Sequence, residues 1–189
     1  AALADRSEEA AKILSSAKPD LLLFGCTTGS LINGFGYDQT LIDRIREASG
    51  GIPTITTSTA LVAALKTLGS QKLVIATPYP DSVNAAEKKF IEDSGFDVLD
   101  IRGLGYTDPN CMPRTTMAEM YPLAKRMLVP EADTVFISCT GINVMDGIQA
   151  MEQDFARPVI TSNQVTLWYA LKTLGIRGAT AQGKLFSYA

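Results

Sequence analysis

The 189-residue chain contains no histidine. Ser-His-Asp and Cys-His hydrolases, two-histidine zinc helices and all imidazole acid–base chemistry are thereby excluded, so any proton work falls to thiols or carboxylates. Positive charge is also scarce: 17 Lys and Arg stand against 20 Asp and Glu, a formal net charge of -3. Basic runs stop at pairs such as Lys88-Lys89. Nothing here could follow a phosphate backbone, and nucleic acid is excluded as a partner. No apolar run reaches the roughly 20 residues of a bilayer span, so no membrane association is expected. Cysteine is limited to three, an odd number with no secretory signal ahead of it. That usage points to free thiols in a reducing, cytoplasmic compartment and not to a disulfide framework. Gly103-Leu104-Gly105 lacks the third glycine, and the later acidic residue, of a dinucleotide site. Acidic residues do not fall at metal-ligand spacing, and neither metal nor organic cofactor is expected.

What the chain does have is apolar material, 46% of its residues, against 20% charged. A chain of this length buries a proper core as one medium or two small domains. Short apolar runs alternate with helical patterns throughout, the mark of an α/β fold with buried parallel strands. The pattern predicts strands at Asp20 to Gly25, Pro53 to Thr56, Lys72 to Thr77, Asp97 to Ile101, Thr134 to Ser138 and Pro158 to Thr161. Helices are predicted at Asp38 to Ala48, Thr59 to Leu68, Ser82 to Ser94, Thr116 to Leu128, Val144 to Phe155 and Gln164 to Leu174. Gly103 to Arg114, with Pro109 and Pro113, reads as the one long irregular connection. The opening segment is an amphipathic helix (Leu3, Ala4, Ala10, Ala11, Ile13, Leu14) of the kind that normally follows a strand, so a strand ahead of it is expected.

An internal repeat organises the rest. Pro53-Thr-Ile-Thr-Thr-Ser-Thr reads against Pro158-Val-Ile-Thr-Ser-Asn-Gln, and Ala-Leu-Lys-Thr-Leu-Gly closes both copies, at Gly69 and Gly175. The closing hexapeptide fits a buried helical face with a glycine cap. Upstream of each copy an apolar strand ends in Cys-Thr: Cys26-Thr27 and Cys139-Thr140. That is the strand end at which open α/β sheets bind ligands. A thiol placed there, ahead of a helix N-terminus, has its thiolate favoured by the dipole and by free N–H groups, which makes it a usable nucleophile or base. The hydroxyls of Thr27, Thr28, Ser30 and Thr140 and the N–H groups of Gly29 and Gly141 suit a carboxylate or an enediolate oxygen. The plain alternative is a pair of buried packing cysteines. Cys111, in the irregular connection, has no partner motif and reads as incidental.

Gly25-Cys26-Thr27-Thr28, Ala76-Thr77-Pro78-Tyr79 and Ser138-Cys139-Thr140-Gly141 together resemble the aspartate/glutamate racemase superfamily, in its branch of maleate cis-trans isomerases and arylmalonate decarboxylases. The resemblance extends through Thr57-Ser58-Thr59-Ala60-Leu61 and Phe90-Ile91-Glu92-Asp93-Ser94-Gly95 to Gly183-Lys184-Leu185-Phe186. It implies two Rossmann-like α/β/α lobes with parallel sheets, related by a pseudo-two-fold axis. The lobes would be 1–70 with 176–189, and 71–175. A cofactor-independent site for a small carboxylate would lie in the cleft, a homo-oligomer is compatible with the pattern, and Tyr79 would give its hydroxyl to a substrate carboxylate. Maleate isomerases and racemases are similar to this chain in carrying a cysteine on each side of the cleft, whereas the decarboxylase has glycine where Cys26 stands. The resemblance therefore implies, first, a cis-trans isomerase with Cys26 as nucleophile and Cys139 as proton carrier. A decarboxylase or a two-base racemase is the alternative. The chain departs from the branch at Gly29-Ser30 and Ile142-Asn143. Its Cys-Thr-Thr replaces the Cys-Asn-Thr of the amino-acid racemases, against an α-amino substrate.

Overall fold

The computed structural model describes residues 2–178 and 183–188. Residues 179–182 and 189, part of the first expected lobe, lie outside the described residues. In chain order the elements are α1 (Ala2–Asp5), α2 (Ser7–Ser15), β1 (Leu22–Phe24), α3 (Thr27–Leu31), α4 (Tyr37–Ala48), β2 (Thr54–Thr56) and α5 (Thr57–Leu68). There follow β3 (Lys72–Thr77), α6 (Asp81–Asp93), β4 (Asp97–Gly103), α7 (Met117–Met127), β5 (Thr134–Ile137), α8 (Ile148–Phe155), β6 (Val159–Thr161) and α9 (Ser162–Thr173). All pairings are parallel, in a two-stranded sheet β1-β2 and a four-stranded sheet β4-β3-β5-β6. This is the α/β architecture expected from the alternation of short apolar runs with helices.

The four-stranded sheet is covered on both faces, and its side chains sort by the period-2 rule. Leu73, Ile75, Phe136 and Ile160 enter one core with Leu61 and Leu65 of α5, Phe90 of α6 and Trp168 of α9. Val74, Ala76, Val135, Ile137 and Val159 enter the other with Met120, Leu123 and Met127 of α7 and Met151 and Phe155 of α8. Trp168 is fully buried where α9 meets α5, and truncating a residue of that size costs about 3–5 kcal/mol. The smaller sheet packs Leu22 against Leu41 and Ile45 of α4 and Ala11 of α2. Among the described residues β1 pairs only with β2, and a groove of about 430 Å³ runs between β1 and α2.

Three local expectations change. The segment from Val144 forms a 3-10 turn at Met145–Gly147 before α8 begins at Ile148. Gly147 is a weak helix former, and a Cβ there would strike the Met117 side chain. Thr27–Leu31, which had no predicted element, forms the short helix α3. The second Ala-Leu-Lys-Thr-Leu-Gly is not buried like the first. Ala64 and Leu65 are fully enclosed, but Ala170 and Leu171 are half-exposed and Leu174 is 41% exposed, because α9 packs through its first turns, at Val165 and Trp168.

Candidate functional site

Cys26 ends β1 and caps α3. Its extended backbone (φ -145°) turns the sulfur over the first turn, where Sγ accepts from the Gly29 N–H at 3.3 Å and lies 3.7 Å from Thr28 Oγ1. Glycine at 29 eases the fit, since a Cβ there would stand 3.1 Å from that sulfur and 3.0 Å from the Phe24 ring and one of them would have to give. Cys139 follows β5 with φ 123°, a region that costs a non-glycine residue roughly 1–3 kcal/mol and survives only where neighbours enforce it. Two hydrogen bonds do so. The Cys139 N–H donates to Ser162 Oγ at 2.9 Å, and Sγ accepts from the Gly141 N–H at 3.2 Å.

Hydroxyl groups join the two cysteine strands. Thr27 Oγ1 donates at 2.9 Å to the same Ser162 Oγ that accepts from Cys139, and Thr140 Oγ1 donates at 3.1 Å to the Gly25 carbonyl. One turn deeper, Thr166 Oγ1 of α9 donates to Thr57 Oγ1 of α5 at 3.2 Å. The Thr27–Ser162 and Thr166–Thr57 pairs are buried and each contribute about 1 kcal/mol net, but an unpaired hydroxyl left behind costs more; the Thr140–Gly25 bond is exposed.

Tyr79 lies past the end of β3 and is 6% exposed. The loop after β4 holds its backbone: Leu104 N–H donates to Thr77 O, Gly105 N–H to Tyr79 O and Tyr106 N–H to Pro78 O. Gly103 permits that approach, because a Cβ there would lie 1.9 Å from the Tyr79 carbonyl oxygen. The phenol faces the Cys139 sulfur and the Ser138 hydroxyl, and burial, then the charges of Cys139 and Glu87, push its pKa well above the ordinary phenol range. The Cys139 thiol is likewise pushed up, chiefly by burial. The Tyr79 hydroxyl and Gly141 N–H favour its thiolate, and the charges of Cys26 and Glu87 oppose it. Easy ionisation, expected for a thiol at a strand end, is thus overturned at Cys139, which is 7% exposed and has no regular helix starting directly behind it. Glu87 of α6 is fully enclosed, and burial raises its carboxyl from 4.5 to about 7 against the opposing Ser138 hydroxyl.

A cavity of about 490 Å³ opens beside Cys26, Thr28, Gly29 and Tyr79. Its other walls are mostly apolar: Ile32, Pro80 and Val83, with Tyr106, Thr107, Pro109 and Met112 from the segment before α7. No lysine or arginine lines it. Thr140 and Gly141 line a neighbouring hollow of about 560 Å³ with Gly25 and Asn163. Thr27 is buried and its proton is committed to Ser162, while Cys139 meets the Tyr79 hydroxyl and lines neither space. Among the described residues, no group of three Cys, Asp or Glu side chains is placed to hold a metal ion.

The arylmalonate decarboxylase family model matches residues 1–186. The chain belongs to the arylmalonate decarboxylase family. Among curated family relatives, arylmalonate decarboxylase of Bordetella bronchiseptica is 32% identical over 165 residues, 85% of this chain and 68% of that protein. Maleate isomerase of Pseudomonas putida is 28% identical over 181 residues, 93% of this chain and 72% of that protein. Among solved structures, a double cysteine-site variant of arylmalonate decarboxylase in its liganded form superposes with a TM-score of 0.92 at 28% identity, covering all of this chain (100%) and 81% of that one. A maleate isomerase from Pseudomonas putida with maleate gives 0.93 at 23% identity, over 98% and 76% of the two chains, and shows the shared fold.

Within this family fold, several residues around the site carried no recognised signal in the sequence. Ser162 occupies the repeat position of Thr57, so comparing the two copies beyond Thr56 and Thr161 would have singled it out. Pro109 and Met112 lay in a segment read only as a loop, and it forms a 3-10 turn, Pro109–Arg114, against the cavity. Glu87 looked like one more charged residue on an amphipathic helix.

Proposed function

We propose that this chain is a cofactor-independent enzyme acting on a small carboxylate through Cys26 and Cys139, and that its reaction is cis-trans isomerisation of an unsaturated dicarboxylate such as maleate. The observation that carries the reading is the placement of two thiols at the ends of β1 and β5, joined through Ser162 and Thr140 and close enough for their charges to interact.

In this reading Cys26, the sulfur that lines the cavity, adds as thiolate to one alkene carbon. The π electrons move to the neighbouring carbon and its carboxylate, where the Thr28 and Tyr79 hydroxyls and loop N–H groups stabilise the enediolate. Cys139 fits the proton carrier, because its raised pKa keeps the proton available until carbon claims it. Protonation of that carbon leaves a saturated thioether with a freely rotating carbon–carbon bond. After rotation the Cys139 thiolate removes the proton, and the electron pair expels Cys26 to give the trans alkene. Each thiol ends as it began.

The apolar wall of Ile32, Pro80, Val83, Pro109 and Met112 favours a second reading. An aryl or alkyl group would fill that wall, and the relative at 32% identity is a decarboxylase. Loss of carbon dioxide from a substituted malonate would leave an enediolate that Cys139 protonates. Racemisation of a 2-aryl carboxylic acid would use both thiols on opposite faces. Incubation with maleate, phenylmalonate and a chiral 2-aryl carboxylic acid in D2O, followed by NMR and carbon dioxide release, separates the three. Fumarate from maleate is expected. Turnover of none of them would overturn the catalytic reading.

A further inference from the structure

Glu87 is 0% exposed, and neither of its carboxylate oxygens has a hydrogen-bond partner. An isolated buried carboxyl of this kind is costly and needs a reason. Its surroundings are specific. The hydroxyl of Ser138, the residue before Cys139, faces it and is itself buried without a hydrogen-bond partner. One turn earlier on α6, Asn84 Oδ1 accepts from Thr77 Oγ1 at 2.6 Å, and Thr77 Oγ1 accepts from the Tyr79 N–H at 3.0 Å. The helix face carrying Glu87 is thereby pinned to the strand end carrying Tyr79. The titratable groups that feel its charge are Tyr79, beyond β3, and Cys139, beyond β5. Among the described residues, no cation offsets it from the packed elements. On α6 itself Lys88 reaches Val98 O and Glu92, and Lys89 reaches Asp93, while Arg102 of β4 pairs with Asp100.

We propose that Glu87 is a positioning residue of the site, whose buried charge holds the protons on Cys139 and Tyr79 so that the one is kept as proton carrier and the other as hydrogen-bond donor. The group never touches substrate. Ionised, it opposes a second negative charge at either neighbour; protonated, it releases that constraint and Cys139 ionises more readily. The pair Glu87–Cys139 then carries one negative charge, on Glu87, as pH rises through neutrality instead of accumulating two. The proposal rests on Cys139 being the proton carrier, but its test uses no substrate, so a failed turnover assay does not decide it.

The test is the rate of Cys139 alkylation by iodoacetamide across the pH range, read by mass spectrometry, with Cys26→Ser and Cys111→Ser removing the other thiols. In that background Glu87→Gln is expected to react about three-fold or more faster than its parent near pH 8, and at the same rate near pH 5.5, where position 87 is uncharged in both. Glu87→Asp, which keeps the charge, should track the parent. A purely structural role would change the rate at every pH. Equal rates at pH 8, or a difference that persists at low pH, would overturn the proposal. Should Glu87→Gln not fold, infrared difference spectra of the unsubstituted protein decide: the buried carboxylic-acid band must vanish across neutral pH while the Cys139 S–H band persists. Loss of the S–H band first would overturn it.

Discussion

The Glu87 carboxyl makes a quantitative demand on stability. Folding raises it from 4.5 to about 7, mainly by burial, so between those values the folded protein keeps a proton that the unfolded chain has lost. Each pH unit in that window removes about 1.4 kcal/mol of stability. The sign follows from the raised value: the stability is fully present below about pH 4.5, declines as pH rises towards 7, and is level above. Over the window the loss sums to about 3 kcal/mol, or roughly 6–12 °C in Tm for a chain of this size. Glu87→Gln keeps the shape and deletes the titration. Urea unfolding of both proteins at several pH values isolates the effect as a difference in slope, so the cost of burying an amide cancels. The wild type should lose about 3 kcal/mol relative to Glu87→Gln between pH 4.5 and pH 7. Parallel curves for the two proteins would show that Glu87 ionises as if in water, and the buried-carboxyl account would be refuted.

Cys139→Ser should lower isomerase, racemase or decarboxylase turnover at least ~100-fold, because every reading routes a proton through that thiol, and steady-state kinetics will show it. Cys26→Gly should abolish isomerisation and racemisation but spare a decarboxylase, so surviving conversion of maleate in that variant removes Cys26 as nucleophile. Tyr79→Phe deletes a neutral donor to a charged group, worth about 1.5–3 kcal/mol, and should reduce kcat/KM about ten-fold or more with an unchanged Tm. Gly103→Ala places a methyl 1.9 Å from the Tyr79 carbonyl oxygen, so Tyr79 must move; thermal unfolding and turnover should both suffer, and a variant matching wild type in both would show that the loop yields freely.

How much of this was legible before the fold depended on the range of the interactions involved. The strands predicted at Lys72 to Thr77 and Thr134 to Ser138 follow local rules and form at Lys72–Thr77 and Thr134–Ile137, whereas α5 and α9 begin two residues before the predicted Thr59 and Gln164, because the Thr56 and Thr161 hydroxyls cap them, each accepting from the N–H three residues on at 3.1 Å. Cys26 and Cys139 stood out because the repeat set them at equivalent strand ends. Helix α3 escaped because five residues of Thr-Thr-Gly-Ser-Leu carry no amphipathic period; their helical form depends on Cys26 and on Ser30, whose hydroxyl meets Ser58 at 2.6 Å from another element. The burial of Glu87 could not be read from α6, where an acidic residue three positions after Asn84 looks solvated. What encloses it is distant in sequence: α6 packs on β4 and α3, and Ser138, just past β5, faces the carboxyl. Ala-Leu-Lys-Thr-Leu-Gly gave the opposite lesson, since identical residues are buried in α5 and half-exposed in α9.

The hydroxyl bridges between the cysteine strands fix one side of the site and leave the other side of the cavity without such ties. Ser162 serves Thr27 and Cys139 at once, so a change that altered the spacing of the sulfurs would orphan the Thr27 hydroxyl and the Cys139 N–H together. The far wall carries no such tie: Thr107 and Pro109 are exposed, and Met112 touches the site through a flexible thioether. A lineage retaining this chemistry is therefore free to resize its substrate one residue at a time along 106–112, as though one jaw of a vice were cast in place and the other cut to the work.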